Sequence, residues 1–175
     1  MPGPLPAQLD PIALAMLGDG LAGTVSLLAM ERLKEATERL VEHDARVNLR
    51  CSKLGSGIHL LTGVVSARVQ MICQRCLGLA NINIDRDFEL ALVNSDVEAA
   101  LIQDDYETHI LEKGRLVTRE LIEDELLLSL PIIPRHAHES DCDPAMLHIL
   151  RRNSKEPGNQ PSTNPFEVLK TLKLN

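Results

Sequence analysis

Val65-Ser66-Ala67-Arg68-Val69-Gln70-Met71-Ile72-Cys73-Gln74-Arg75-Cys76, read with the stretch Asn81 to Leu92 that follows it, decides the fold. Val65, Ala67, Val69, Met71 and Cys73 alternate with Ser66, Arg68, Gln70 and Ile72. Beyond the cysteines, Ile82, Ile84, Phe88, Leu90 and Leu92 alternate with Asn81, Asn83, Asp85, Asp87 and Glu89. A period of two puts the apolar set of each segment on one face of a half-buried strand. The short connection between the two segments makes them antiparallel neighbours.

The same pattern extends upstream. Ala45, Val47, Leu49 and Cys51 alternate with Arg46, Asn48 and Arg50, and Leu54-Gly55-Ser56-Gly57 supplies a turn. Three consecutive strands of this kind predict an antiparallel meander, or a partly closed small barrel, covered on one face. Helices are expected at Leu27 to Val41, with Ser26 as N-cap, and at Thr118 to Leu130, stopped by Pro131. Asp96 to Asp105 reads as an exposed loop or short helix, and Tyr106 to Leu111 as a further strand. Segregated strands and helices give an α+β class. The expected organisation is one domain over 1–150, a flexible linker over 151–164 and a short amphipathic motif over 165–175. In that motif Phe166, Leu169 and Leu172 either pack back on the domain or dock into a partner.

Composition narrows the function. Only 2% of the 175 residues are aromatic, so a platform of rings for stacking single-stranded nucleic acid is not expected. The net charge of -7 opposes nonspecific phosphate binding and suits a basic protein partner. Eight of the acidic residues lie between Asp85 and Glu107, against the single base Arg86. The apolar stretch from Pro11 to Met30 is broken by Gly18, Gly20 and Gly23, which argues against a membrane span. With no secretory signal visible, the expectation is a cytoplasmic chain with reduced thiols and no membrane partner.

Cys73-Gln74-Arg75-Cys76 places two sulfurs on one side of a tight bend, and Pro134-Arg135-His136 with Cys142 stands about sixty residues further on. One reading is a structural tetrahedral metal site of Cys73, Cys76, His136 and Cys142, with His138 as an alternative fourth ligand. The other is that the sulfurs are small buried hydrophobes, as expected for Cys51. A redox role would require a depressed thiol pKa, and the strand-to-strand context gives no helix N-terminus to supply it. No nucleophile elbow, zincin helix or phosphate-binding glycine loop is present. Glu123, Asp124 and Glu125 read as a solvated helix face. On the polar face of the meander Arg46, Arg50 and Arg68, with Arg75 at the turn, are candidates for RNA phosphates and 2′-hydroxyls. An ordinary solvated sheet face is the alternative.

Three stretches together carry a resemblance: Cys73 to Leu77; Leu121-Ile122-Glu123-Asp124-Glu125-Leu126-Leu127-Leu128-Ser129-Leu130-Pro131-Ile132-Ile133-Pro134-Arg135-His136 with Cys142; and Asn164-Pro165-Phe166-Glu167-Val168-Leu169. With the Leu9-Asp10-Pro11 start, the chain resembles the YceD family, the large ribosomal RNA subunit accumulation proteins of bacteria and plastids. The resemblance implies a noncatalytic factor for synthesis, processing or stability of large-subunit (23S) ribosomal RNA. It also implies two partners: that RNA or its precursor, directly or indirectly, or a large-subunit ribosomal protein, whose gene is associated with the family in bacteria. Some members carry a second cysteine pair where this chain has His136 and Cys142, so structural zinc is an expectation. An acidic residue often precedes the Leu-rich helix in relatives; here Val117-Thr118 stands there, and Thr118 is the expected cap.

Overall fold

A computed structural model describes residues 3–18, 20–53, 58–102 and 105–153. Three long strands dominate it: β4 (Asp44–Lys53), β5 (His59–Ile72) and β6 (Leu79–Val93). Before them come β1 (Gln8–Leu9), α1 (Pro11–Met16), β2 (Leu21–Ser26), α2 (Glu31–Ala36) and β3 (Arg39–Leu40). After them come α3 (Asp96–Ile102), β7 (Thr108–Ile110), β8 (Leu116–Val117), α4 (Thr118–Leu128) and α5 (Pro144–Asn153). The class is α+β, as expected, and the sheet curls. Its order is β2-β4-β5-β6-β7, with β3 taking over the edge of β5 beyond the end of β4.

The period-two reading holds residue by residue. On β4 the alternation exposed–buried runs without a break from Asp44 to Ser52, with Ala45, Val47, Leu49 and Cys51 inward. The β5–β6 register is equally regular, from His59 opposite Leu92 to Ile72 opposite Leu79. Gly63 faces Phe88, whose ring lies where a Cβ would stand, so the strand is continuous there only because the residue lacks one.

The inward face packs against Leu27, Met30 and Leu33 from the α2 region and against Leu121, Ile122 and Leu126 of α4, all essentially without exposure. Each such side chain contributes about 2 kcal/mol of transfer free energy, and that sum fixes α4 across the sheet. The segment from Pro6 to Leu9 is tied to the start of α4, because β1 pairs with β8 and the Thr118 hydroxyl donates to the Pro6 carbonyl.

Several expectations are corrected. The helix predicted over Leu27 to Val41 is a 3₁₀ turn (Leu27–Ala29), the six-residue α2 and then β3. Residues beyond Ala36 leave the helix because Glu38 and Val41 N–H groups find carbonyls of Gln70 and Arg68 on the open edge of β5. Ser26 makes no side-chain cap. Thr118 does not cap α4 either, since its hydroxyl is committed to Pro6. The strand expected at Tyr106 to Leu111 is β7, and it runs parallel to β6, so the sheet is mixed.

The carboxylates assigned to a solvated face are the largest correction: Glu123 and Glu125 are buried. Glu123 accepts the Leu33 N–H and pairs with Arg32, which supplies the α2 N-terminus with the cap Met30 cannot provide. Glu125 pairs with Arg86, which points inward from β6. Burial nonetheless holds the Glu125 carboxyl above its usual range, against the lowering effect of Arg86. Lastly, α5 runs through Asn153, so the first three residues assigned to the linker are helical. The rest of that linker and the 165–175 motif, with Phe166, Leu169 and Leu172, lie outside the described residues.

Candidate metal centre and the outer sheet face

The β5–β6 turn is built to aim sulfur. Cys73 donates its N–H to the Gly78 carbonyl and accepts from the Leu77 N–H, which closes the bend. Leu77 pays for that closure with a left-handed φ of 60°, a conformation an L side chain adopts only when its surroundings impose it. The distant half is brought in by backbone contacts: Gln74 N–H donates to the Pro134 carbonyl, and the Arg75 guanidinium donates to the His136 carbonyl at 3.2 Å.

Cys73, Cys76, His136 and Cys142 converge, with their ligand atoms all within 4.8 Å of one another. His136 Nδ1 lies 3.5 Å from both Cys76 Sγ and Cys142 Sγ. A tetrahedral zinc with bonds of about 2.0 Å to nitrogen and about 2.3 Å to sulfur separates the nitrogen from each sulfur by about 3.5 Å. The ring is oriented for the task, because Nε2 donates to the Leu79 carbonyl at 3.1 Å and so leaves Nδ1 with its lone pair toward the sulfurs. His138, the alternative ligand, is exposed and outside the cluster. The three sulfurs are buried in a small satellite core with Ala80, against which Ile82, Met146 and Leu147 pack. The residues present therefore fit a metal ion.

The sulfurs differ in protonation. Burial raises the Cys73 thiol, but backbone N–H groups of Cys76, Arg75 and His136 and the His136 ring outweigh it and hold the pKa at about 5. Burial, then the Cys76 and Cys73 sulfurs, push Cys142 up to about 11. One sulfur is thus a ready thiolate, while further thiolates repel one another unless a cation sits among them. The low pKa meets the requirement set for a redox role, yet Cys73 is fully buried, and a reactive thiolate needs access to its target. A ligand's role fits the same thiolate. Cys51 sits apart in the main core, as expected.

The arginine candidates separate into two groups. Arg46, Arg50 and Arg68 are exposed on the outer face. Arg50 Nε donates to the Gly18 carbonyl and Arg68 Nε to Asn83 Oδ1, which leaves much of each guanidinium to solvent. Arg75 is drawn into the candidate metal centre by His136 and Glu139, and Arg151 of α5 clamps Glu139 at 2.7 Å. Across the same outer face Asp85, Asp87 and Glu89 form an acidic row on β6, separated from the arginines of β4 by Ser66, Val64 and Thr62 of β5.

Residues 61–173 match the family described as "Large ribosomal RNA subunit accumulation protein YceD". The chain belongs to that family. A member from Haemophilus influenzae, named large ribosomal RNA subunit accumulation protein YceD, is 29% identical over 170 residues, covering 97% of this chain and 96% of the relative. No solved structure matches. Within the family match fall the whole Cys73, Cys76, His136 and Cys142 cluster, the buried carboxylates of α4, all of β6 and β5 from Leu61 onward. Sequence reasoning missed the Leu79 carbonyl, Arg75's structural duty and the cover that α5 provides. Only the last had a signal, the apolar spacing of Met146 and Leu147 after Pro144.

Proposed function

We propose that the protein is a noncatalytic, cytoplasmic ribosome-biogenesis factor that promotes synthesis, processing or stability of large-subunit (23S) ribosomal RNA. The observation that carries this reading is the near full-length likeness to a relative named for accumulation of that RNA. Cys73, Cys76, His136 and Cys142 hold structural zinc, a borderline-soft ion suited to three thiolates and an imidazole. Closed by four protein ligands and buried, such a site supplies folding energy and not a position for substrate. Arg46, Arg50 and Arg68 contact the RNA, and Arg75 is left out of that set because its guanidinium is engaged at the metal centre.

A second reading is favoured by the acidic row of Asp85, Asp87 and Glu89: an adaptor that holds a basic large-subunit ribosomal protein during assembly. Crosslinking and sequencing of RNA bound in cells, with co-purified proteins identified in the same pull-down, separates the two. A discrete large-subunit footprint that vanishes on joint substitution of Arg46, Arg50 and Arg68 supports direct RNA contact. A stoichiometric ribosomal protein without a footprint supports the adaptor. Unchanged ribosomal RNA levels in cells lacking the protein would overturn both.

A further inference from the structure

The edge of β6 carries the inference furthest. Along a strand, N–H and C=O groups point to alternate sides. Ala91 donates to the Glu107 carbonyl and Val93 accepts from Leu111, so the odd-numbered residues of β6 turn their backbone groups away from β5. The β5 side agrees, since Arg68 and Gln70 present their carbonyls to Val41 and Glu38 on the opposite flank. With the β5–β6 register unbroken, the N–H and C=O groups of Asn81, Asn83, Asp85, Asp87 and Glu89 all face outward. β7 covers β6 only at Ala91–Val93, and among the described residues no strand pairs with β6 before that point on this side.

A long unpaired edge is a template for another strand. Its chemistry selects the guest. Asp85, Asp87 and Glu89 are exposed, and among the described residues none of them forms an ion pair. A second copy of this chain would set acid against acid across the new ladder, which is destabilising. Nucleic acid cannot continue a β-ladder, and phosphates are repelled by the row. We infer that the β6 edge from Asn81 to Glu89 is a β-augmentation site for an extended basic segment of a partner protein. The segment's lysines or arginines lie over the acidic row, and its alternate apolar side chains turn toward the inner face beside Ile84 and Phe88. This deepens the adaptor reading and requires no RNA contact.

The test uses purified full-length protein and a synthetic peptide of alternating lysine and valine, with a glutamate–valine peptide as control. Amide hydrogen exchange by NMR is the decisive readout. On adding the basic peptide, the outward amides of Asn83, Asp85 and Asp87 become protected. Those of Ile84 and Arg86, already bonded to β5, do not change. Asp85→Pro removes one outward donor without touching the β5 ladder, and weakens binding by at least about tenfold. Asp85→Asn with Asp87→Asn weakens it and flattens its salt dependence. Binding that leaves the outward amides exchanging freely, equal binding of the acidic peptide, or no binding at all overturns the site. Augmentation of the purified chain with no ribosomal protein in the cellular pull-down would keep the site and sink the adaptor reading instead.

Discussion

The two ends of the β5–β6 hairpin are held by different physics. Near Leu61 and Leu90 the strands lie in a broad apolar core, closed by Leu33, Leu121, Ile122 and Leu126. Near Ile72 and Leu79 the core shrinks to three cysteines and Ala80, with Ile82, Met146 and Leu147 around them. Leucines on the first end each remove a large apolar surface from water. The second end has far less such surface around its strained turn and distant loop, and there the four candidate ligands converge. Where burial runs out in this fold, the proposed zinc takes over.

Removing the proposed zinc breaks the comparison most strongly. Stripping it with a chelator, or Cys142→Ser, is expected to forfeit about 10 kcal/mol of binding free energy at the far end. Hydrogen exchange should then show amides 73–79 and α5 losing protection while Val47, Leu61 and Val65 keep theirs. The converse change, Leu126→Ala, opens a cavity on the apolar end and costs about 3 kcal/mol. Chemical denaturation should register that loss with zinc affinity unchanged.

Arg86→Ala sharpens the contrast from within the apolar end, because it strands a buried carboxylate. The cost at neutral pH is about 2 kcal/mol, moderated by the partial exposure of Arg86. Glu125 already has a raised pKa in the folded protein, and losing Arg86 raises it further. A raised carboxyl pKa penalises folding above the unfolded value, and protonation lifts that penalty as pH falls through the folded value. The variant's melting deficit should therefore narrow on acidification, and a deficit that widened would contradict the pairing. Smallest is Glu123→Ala, expected to cost about 1 kcal/mol through the lost α2 cap, read as lower melting temperature with intact metal binding.

How much of this the sequence revealed follows the same division. Period-two alternation is set by the pleat itself, so Ala45 to Cys51, Val65 to Cys73 and Ile82 to Leu92 were legible directly. The convergence of Cys73, Cys76, His136 and Cys142 was legible as one of two readings, because sulfur and imidazole at a turn and a Pro-rich loop fit either a metal site or plain burial of the thiols. The choice of His136 over His138 was not, since it depends on a hydrogen bond to the Leu79 carbonyl. Glu123 and Glu125 misled because carboxylates on a helix ordinarily face water. Their burial is decided by Leu33 N–H and Arg86, partners 90 and 39 residues away in sequence. The helix proposed through Val41 failed for a similar reason, an open strand edge that only the folded sheet provides.

The account turns on Cys73, Cys76, His136 and Cys142 acting together on one ion. Cobalt substitution of the purified protein tests that most directly. The predicted result is a stoichiometric cobalt complex with the intense visible bands of tetrahedral coordination and thiolate charge transfer, displaced by zinc and lost in Cys142→Ser. Weak octahedral-type absorption, with melting temperature indifferent to added metal, would contradict it.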